Sequence, residues 1–134
     1  MSGDEIAPPQ PPHRGQHLLA EYRGCDPAVL DDRDAIARAL DAAARAAGAT
    51  VLSAHLHRFT PRGVSGVLII QESHLSIHTW PEHGYAAVDF YTCGAGDPAL
   101  AHATLARALR AEVCETMLVE RGIDPPARSL RVRP

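Results

Sequence analysis

The densest polar stretch of the chain is Glu72-Ser73-His74-Leu75-Ser76-Ile77-His78, directly after the apolar run Val67-Leu-Ile-Ile70. Three readings fit these residue types. Ser73 and His78 offer a nucleophile and a base, and Cys93 would join them if the two segments paired as a hairpin. A hydrolytic triad would need a carboxylate behind the imidazole, for which Asp89 is the near candidate, and a Gly-x-Ser-x-Gly elbow, which Ser73 lacks. His74 and His78, with His55 and His57, offer imidazoles that suit zinc. Their spacing matches no common zinc pattern, and HExxH is absent. In the third case these side chains only satisfy backbone groups at a strand end and line a seam between two copies. Residue types and spacing leave all three open.

The elements that must carry these residues fit one domain, since the chain has 134 residues and a hydrophobic content of 46%. A formal charge of -3 gives no reason to expect nucleic acid or a membrane surface as partner. No apolar run approaches the roughly 20 residues of a spanning helix. The start, MSGDEIAPPQPPH, is acidic and Pro-rich, without the basic and apolar regions of a signal peptide, so the cytoplasm is the expected compartment. The three cysteines, Cys25, Cys93 and Cys114, are too few and too uneven for a disulfide framework. Cys25 and Cys114 are expected as buried, inert thiols.

Residues 1–15 read as a disordered tail, and 123–134 as a second tail. Between them lies one domain, 16–122. A strand is expected over His17–Arg23. A helix follows over 31–48, capped by Asp32, with Ile36, Leu40, Ala43, Ala44 and Ala47 on its apolar face and Gly48 stopping it. Val51–Phe59 alternates as a strand, with Val51, Ser53, His55 and His57 on one face. Gly66–Gln71 reads as a buried strand. Beyond it, Leu75 and Ile77 oppose His74, Ser76 and His78. Pro81-Glu82-His83-Gly84 is a turn and Tyr85–Thr92 a strand. Asp97-Pro98 opens a second helix whose apolar face is Ala101, Leu105, Ala108 and Leu109. Cys114–Glu120 is the last strand. The order β-α-β-β-β-α-β predicts an α+β fold, an antiparallel sheet with two helices on one face in a two-layer sandwich. The other face would hold the histidines and lie open, so a second copy is expected to cover it as a homodimer.

Residues 59–94 resemble the core of the bacterial S-adenosylmethionine decarboxylase proenzymes, the small pyruvoyl-dependent type. The stretches GVSG (63–66), ESHLSIHTWPE (72–82), GYAA (84–87) and TCG (92–94) follow in order and spacing. His17-Leu-Leu-Ala-Glu21 and Gly24-Cys25-Asp26 resemble the family's first strand and its exit, so the likeness spans about residues 15–122.

The resemblance implies a zymogen that cleaves itself between Glu72 and Ser73. The Ser73 hydroxyl attacks the Glu72 carbonyl, and elimination then leaves Ser73 as a pyruvoyl group, the only cofactor. Residues 1–72 become the β chain and 73–134 the α chain of one proenzyme, with no metal required. Ser65 matches the residue that stabilises the oxyanion of processing, and His78 the proton acceptor. Cys93 matches the proton donor of decarboxylation. Phe59 and Glu82 match positions near the substrate. The pyruvoyl would form a Schiff base with S-adenosylmethionine and release CO2 and S-adenosyl 3-(methylthio)propylamine for spermidine biosynthesis, at sites on a dimer interface.

Two differences from the family stand out. Arg14-Gly15-Gln16 replaces its usual apolar-Gly-basic triplet, and Arg23 stands where an aromatic is common. Since relatives act on L-arginine or L-ornithine with the same machinery, those amino acids are the alternative substrates.

Overall fold

Aspartates start both long helices, as expected. The computed structural model describes residues 14–71, 73–93, 96–122 and 131–133. Asp32 caps helix α2 (Arg33–Ala46) by accepting from the backbone N–H groups of Asp34 and Ala35, a cap that contributes about 1 kcal/mol. Gly48 ends that helix at φ 84°, a left-handed conformation that glycine adopts without a Cβ penalty. Asp97 caps α3 (Pro98–Leu109), with Pro98 in the first turn. A short helix not expected from the periodicity, α1 (Pro27–Leu30), follows the first strand and is capped by Asp26. Four residues are too few for a periodic pattern to show.

The strands are β1 (Arg14–Arg23), β2 (Val51–Arg58), β3 (Val64–Ile70), β4 (Ser73–Trp80), β5 (Tyr85–Cys93), β6 (Val113–Gly122) and β7 (Arg131–Arg133). They form one antiparallel sheet in the order β2-β3-β4-β5-β1-β6-β7. The architecture is the expected α+β sandwich, with α2 and α3 together on one face of the sheet. Its strand count is larger, because the residues after Gln71 form a separate strand and Arg131–Arg133 adds to the edge. The first strand begins at Arg14, before the expected His17, because pairing with both β5 and β6 extends it. The expected N-terminal tail falls on residues 1–13, outside those described, apart from Arg14 and Gly15.

The core lies between the helices and one sheet face. Ile36, Leu40, Ala43 and Ala44 of α2 and Ala101, Leu105 and Leu109 of α3 meet Leu18, Tyr22, Leu68, Leu75, Ile77 and Phe90 of the sheet, all buried. Three expected placements differ. Ala108 is exposed, and Ala106 packs on the core instead. A register irregularity between Val51 and Ser53 turns Val51 toward the core, while Ser53, His55 and His57 keep to the open face. Cys114 is exposed, whereas Cys25 is buried as expected. The open face carries His17, His55, His57, His74 and His78. It also carries the exposed apolar side chains Leu19, Ile69, Trp80 and Met117. Among the described residues no helix is long and apolar enough to cross a membrane.

Candidate active site

Strand β4 carries candidate residues at both ends and in the middle. Its first residue is Ser73, paired with Ile70 across a turn through Gln71. Glu72 lies outside the described residues. Because β4 and β5 are antiparallel with His74 opposite Tyr91, the end of β5 returns to the start of β4. The Cys93 backbone N–H donates to Ser73 Oγ at 3.3 Å. A cavity of about 280 Å³ opens there, lined among others by Thr50, Gln71, Thr92 and Cys93. The structure therefore brings the Ser73 hydroxyl to the backbone of Cys93 across twenty positions of sequence.

The other end of β4 holds a second group. Ser65 and His78 are cross-strand partners on β3 and β4, with Ser65 Oγ 2.7 Å from His78 Nδ1. They line a cavity of about 340 Å³ with Phe59, Arg62, Trp80 and Glu82. Phe59 meets His57 edge-on at 4.6 Å, and Trp80 stacks on Tyr85 at 5.2 Å. Asp31 fixes the turn between β2 and β3 by accepting from the Gly63 N–H at 2.8 Å and from Arg58 at 2.8 Å. These bonds, that from Gly63 first, hold the Asp31 carboxyl below the usual carboxylate range. An aromatic ring, an exposed carboxylate and a hydroxyl–imidazole pair suit a ligand with both a flat ring and positive charge.

These two groups do not meet within one chain. Five residues of extended strand separate Ser73 from His78, about 17 Å at the usual rise. Their closeness in sequence is misleading.

Between them stands Asp89. Its Oδ2 accepts from His17 Nε2 at 2.6 Å and His74 Nε2 at 2.9 Å, and its Oδ1 accepts from Ser76 Oγ. Asp89 thus backs His74 and His17, and His78 takes Ser65 instead, so no Ser73–His78–Asp89 triad forms. His17, His74 and Asp89 bring ligand atoms within 4.8 Å of one another, a spacing that could hold a metal ion. This differs from the set of His55, His57, His74 and His78 that the sequence offered. Arg121 Nη1 lies 3.1 Å from His17 Nδ1. A guanidinium only donates, so Nδ1 accepts and the His17 proton sits on Nε2, facing Asp89 where a metal would need a lone pair. The arrangement is that of a hydrogen-bonded network.

Burial opposes ionisation of Asp89, but the bonds from Ser76, His74 and His17 outweigh it and hold the carboxyl below its ordinary range. A carboxyl depressed in this way adds stability above its unfolded pKa and loses it as pH falls through the folded one. Thermal unfolding should show Asp89→Asn less stable than wild type at pH 7. The two should converge as pH falls below about 4. A constant difference across that range would mean that Asp89 ionisation adds nothing to stability.

Sequence reasoning did not single out His17, Tyr91 or Arg121 as members of this face. Alternation along the first strand puts His17 beside Leu19 and Glu21 on one face, but its partner Asp89 lies 72 positions away.

Residues 16–122 match the family model described as S-adenosylmethionine decarboxylase. An S-adenosylmethionine decarboxylase proenzyme of Thermotoga petrophila is 50% identical over 109 residues, covering 81% of this chain and 84% of that one. The proenzyme of the same name from Anoxybacillus flavithermus is 47% identical over 111 residues, covering 83% and 90%. The crystal structure of the adenosylmethionine decarboxylase from Aquifex aeolicus superposes with a TM-score of 0.75 at 36% identity. It covers 88% of this chain and 98% of that one. With a fold shared with that structure and a family match across nearly the whole described domain, this chain belongs to the S-adenosylmethionine decarboxylase family.

Proposed function

We propose that this protein is a self-processing, pyruvoyl-dependent carboxy-lyase that converts S-adenosylmethionine to S-adenosyl 3-(methylthio)propylamine and CO2. The observation that carries the reading is the Ser73 hydroxyl at the head of β4 beside Cys93. It puts a nucleophile next to the peptide bond before it, and the Cys93 backbone next to whatever that serine becomes. The composition agrees. The sequence contains no lysine, every one of its 13 basic residues being arginine, so no side-chain amine is present to anchor pyridoxal phosphate. A pyruvoyl group made from Ser73 fits this end of the strand. When formed, it supplies a carbonyl that accepts the electron pair left by departing CO2.

The chain's own residues divide into two sets. Ser73 attacks the carbonyl of residue 72, and Cys93 later delivers a proton to the substrate carbon. Ser65 and His78 act on processing as one unit. In the tautomer with the proton on Nδ1, His78 donates to Ser65 Oγ. That leaves the Ser65 O–H for the developing oxyanion and Nε2 as the base for the Ser73 α-proton. Phe59 stacks on the adenine, and Glu82 offsets the sulfonium or amine charge.

The two sets lie about 17 Å apart along one strand, so we read the enzyme as a homodimer in which they meet in trans. A two-fold axis through the middle of the open face exchanges the two ends of β4. It sets Ser65, His78, Phe59 and Glu82 of one copy over Ser73 and Cys93 of the other. The exposed Leu19, Ile69, Trp80 and Met117 on that face suit burial against a second copy.

CO2 release from carboxyl-labelled S-adenosylmethionine, L-arginine and L-ornithine tests the substrate. Release from S-adenosylmethionine is expected to exceed the other two by at least about 10-fold, since a site matched to a flat ring and a cation loses the ring contact with a free amino acid. Turnover confined to arginine or ornithine would overturn the assignment.

A further inference from the structure

Tyr91, on the open face, takes no part in the chemistry above. Tyr91 and Cys93 lie two positions apart on β5, so both side chains rise from the same face, about 7 Å apart at their bases. The Tyr91 ring does not stand upright. It lies across Gly15, so that a Cβ on Gly15 would sit 2.7 Å from both the ring Cε1 and the hydroxyl oxygen. Gly15 is the cross-strand partner of Cys93 on one side and of Arg121 on the other. The phenol is therefore laid along the sheet toward the thiol. Arg121 holds it there, its guanidinium carbon 5.0 Å from the ring centroid, and the His17 and His74 rings flank it at 5.3 and 6.1 Å.

Gly15 sits in regular paired strand with no positive φ. Its backbone does not need a glycine, but the ring above it does. The phenol's pKa is held above its ordinary value, chiefly by interaction with the Cys93 side chain and then by burial, with Arg121 pulling the other way. That agrees with contact between hydroxyl and sulfur.

We propose that Tyr91 is a positioning residue for Cys93, its hydroxyl reaching the thiol sulfur across the space that Gly15 leaves open. This rests on the reading of Cys93 as the proton donor. When Cys93 gives its proton to the substrate carbon, the S–H electron pair stays on sulfur, and the Tyr91 O–H donates to the thiolate so formed. The same bond points the thiol at that carbon and away from other basic positions.

The test has two readouts on the processed protein. The first is the rate of Cys93 alkylation by iodoacetamide at pH 8, followed by mass spectrometry with the exposed Cys114 as internal reference. Alkylation consumes the thiolate. Tyr91→Phe keeps the ring and its stacking but loses the donor, and is expected to slow Cys93 roughly threefold or more relative to Cys114. Gly15→Ala, which keeps the hydroxyl but displaces it, should slow Cys93 likewise. A Tyr91 that only packs would leave the rate unchanged or raise it by loosening the site. The second readout is the number of turnovers completed before inactivation, expected to fall about threefold or more in both variants with KM for S-adenosylmethionine unchanged. Wild-type alkylation and wild-type turnover number in Tyr91→Phe would overturn the proposal. Cys93→Ala provides the separate control. It should lose most decarboxylation, or inactivate early by misplaced protonation. Unchanged turnover there would remove Cys93 as donor, while the alkylation rates would still judge the contact with Tyr91.

Discussion

Ser73→Ala is expected to run as one intact chain under denaturing conditions and to release CO2 at background level. The serine hydroxyl is the nucleophile that attacks the peptide bond before it, and no other side chain takes its place. Cys93, the nearest thiol, is held to Ser73 through its backbone N–H, and its side chain is on the open face. The loss is therefore complete and not graded. The fold should be little disturbed, because the hydroxyl accepts a single long bond of 3.3 Å. Removing such a contact changes stability by no more than about 1 kcal/mol. Intact mass and a melting curve on the same sample separate failed processing from failed folding. Wild-type protein should instead give two fragments that divide between residues 72 and 73, the later one lacking a free amino group. Cleavage of Ser73→Ala at that bond would show that another group is the nucleophile.

The second large effect is rescue between two inactive variants. His78→Ala removes the base and Ser73→Ala the nucleophile, so each alone should accumulate uncleaved chain. Expressed together, they pair at random. In each mixed dimer the Ser73 of the His78→Ala copy faces the intact Ser65–His78 pair of the Ser73→Ala copy. The opposite site lacks both groups. About half of the dimers are mixed, and one chain in each is cut, so roughly a quarter of all chains should be cleaved. Every cleaved chain should carry His78→Ala, which peptide mass spectrometry reads directly. Absence of cleavage in purified mixed dimers would mean that Ser73 depends on residues of its own chain, against the separation along β4. Cleaved chains carrying Ser73→Ala would contradict the assignment of the nucleophile.

The sequence by itself determined whatever depends on neighbours along the chain. The caps at Asp32 and Asp97 were legible because a capping side chain needs only the next turn of backbone. The opposed faces of His74, Ser76 and His78 against Leu75 and Ile77 were legible because strand side chains alternate. The family likeness was legible above all in one unbroken run, Glu72 to Glu82.

Tertiary structure decided which of those residues meet. Strand register carried Cys93 to Ser73 and set Asp89 between His17 and His74. It also held His78 away from the serine it follows by five positions, because an extended strand separates its ends by its whole length. An irregularity of one residue turned Val51 to the core, which alternation alone assigned to the open face. The bed of Tyr91 over Gly15 joins residues 76 positions apart through a gap that only a missing Cβ provides. Neighbour chemistry specifies the elements. The sheet's pairing, a property of distant segments packed on a common core, specifies the site.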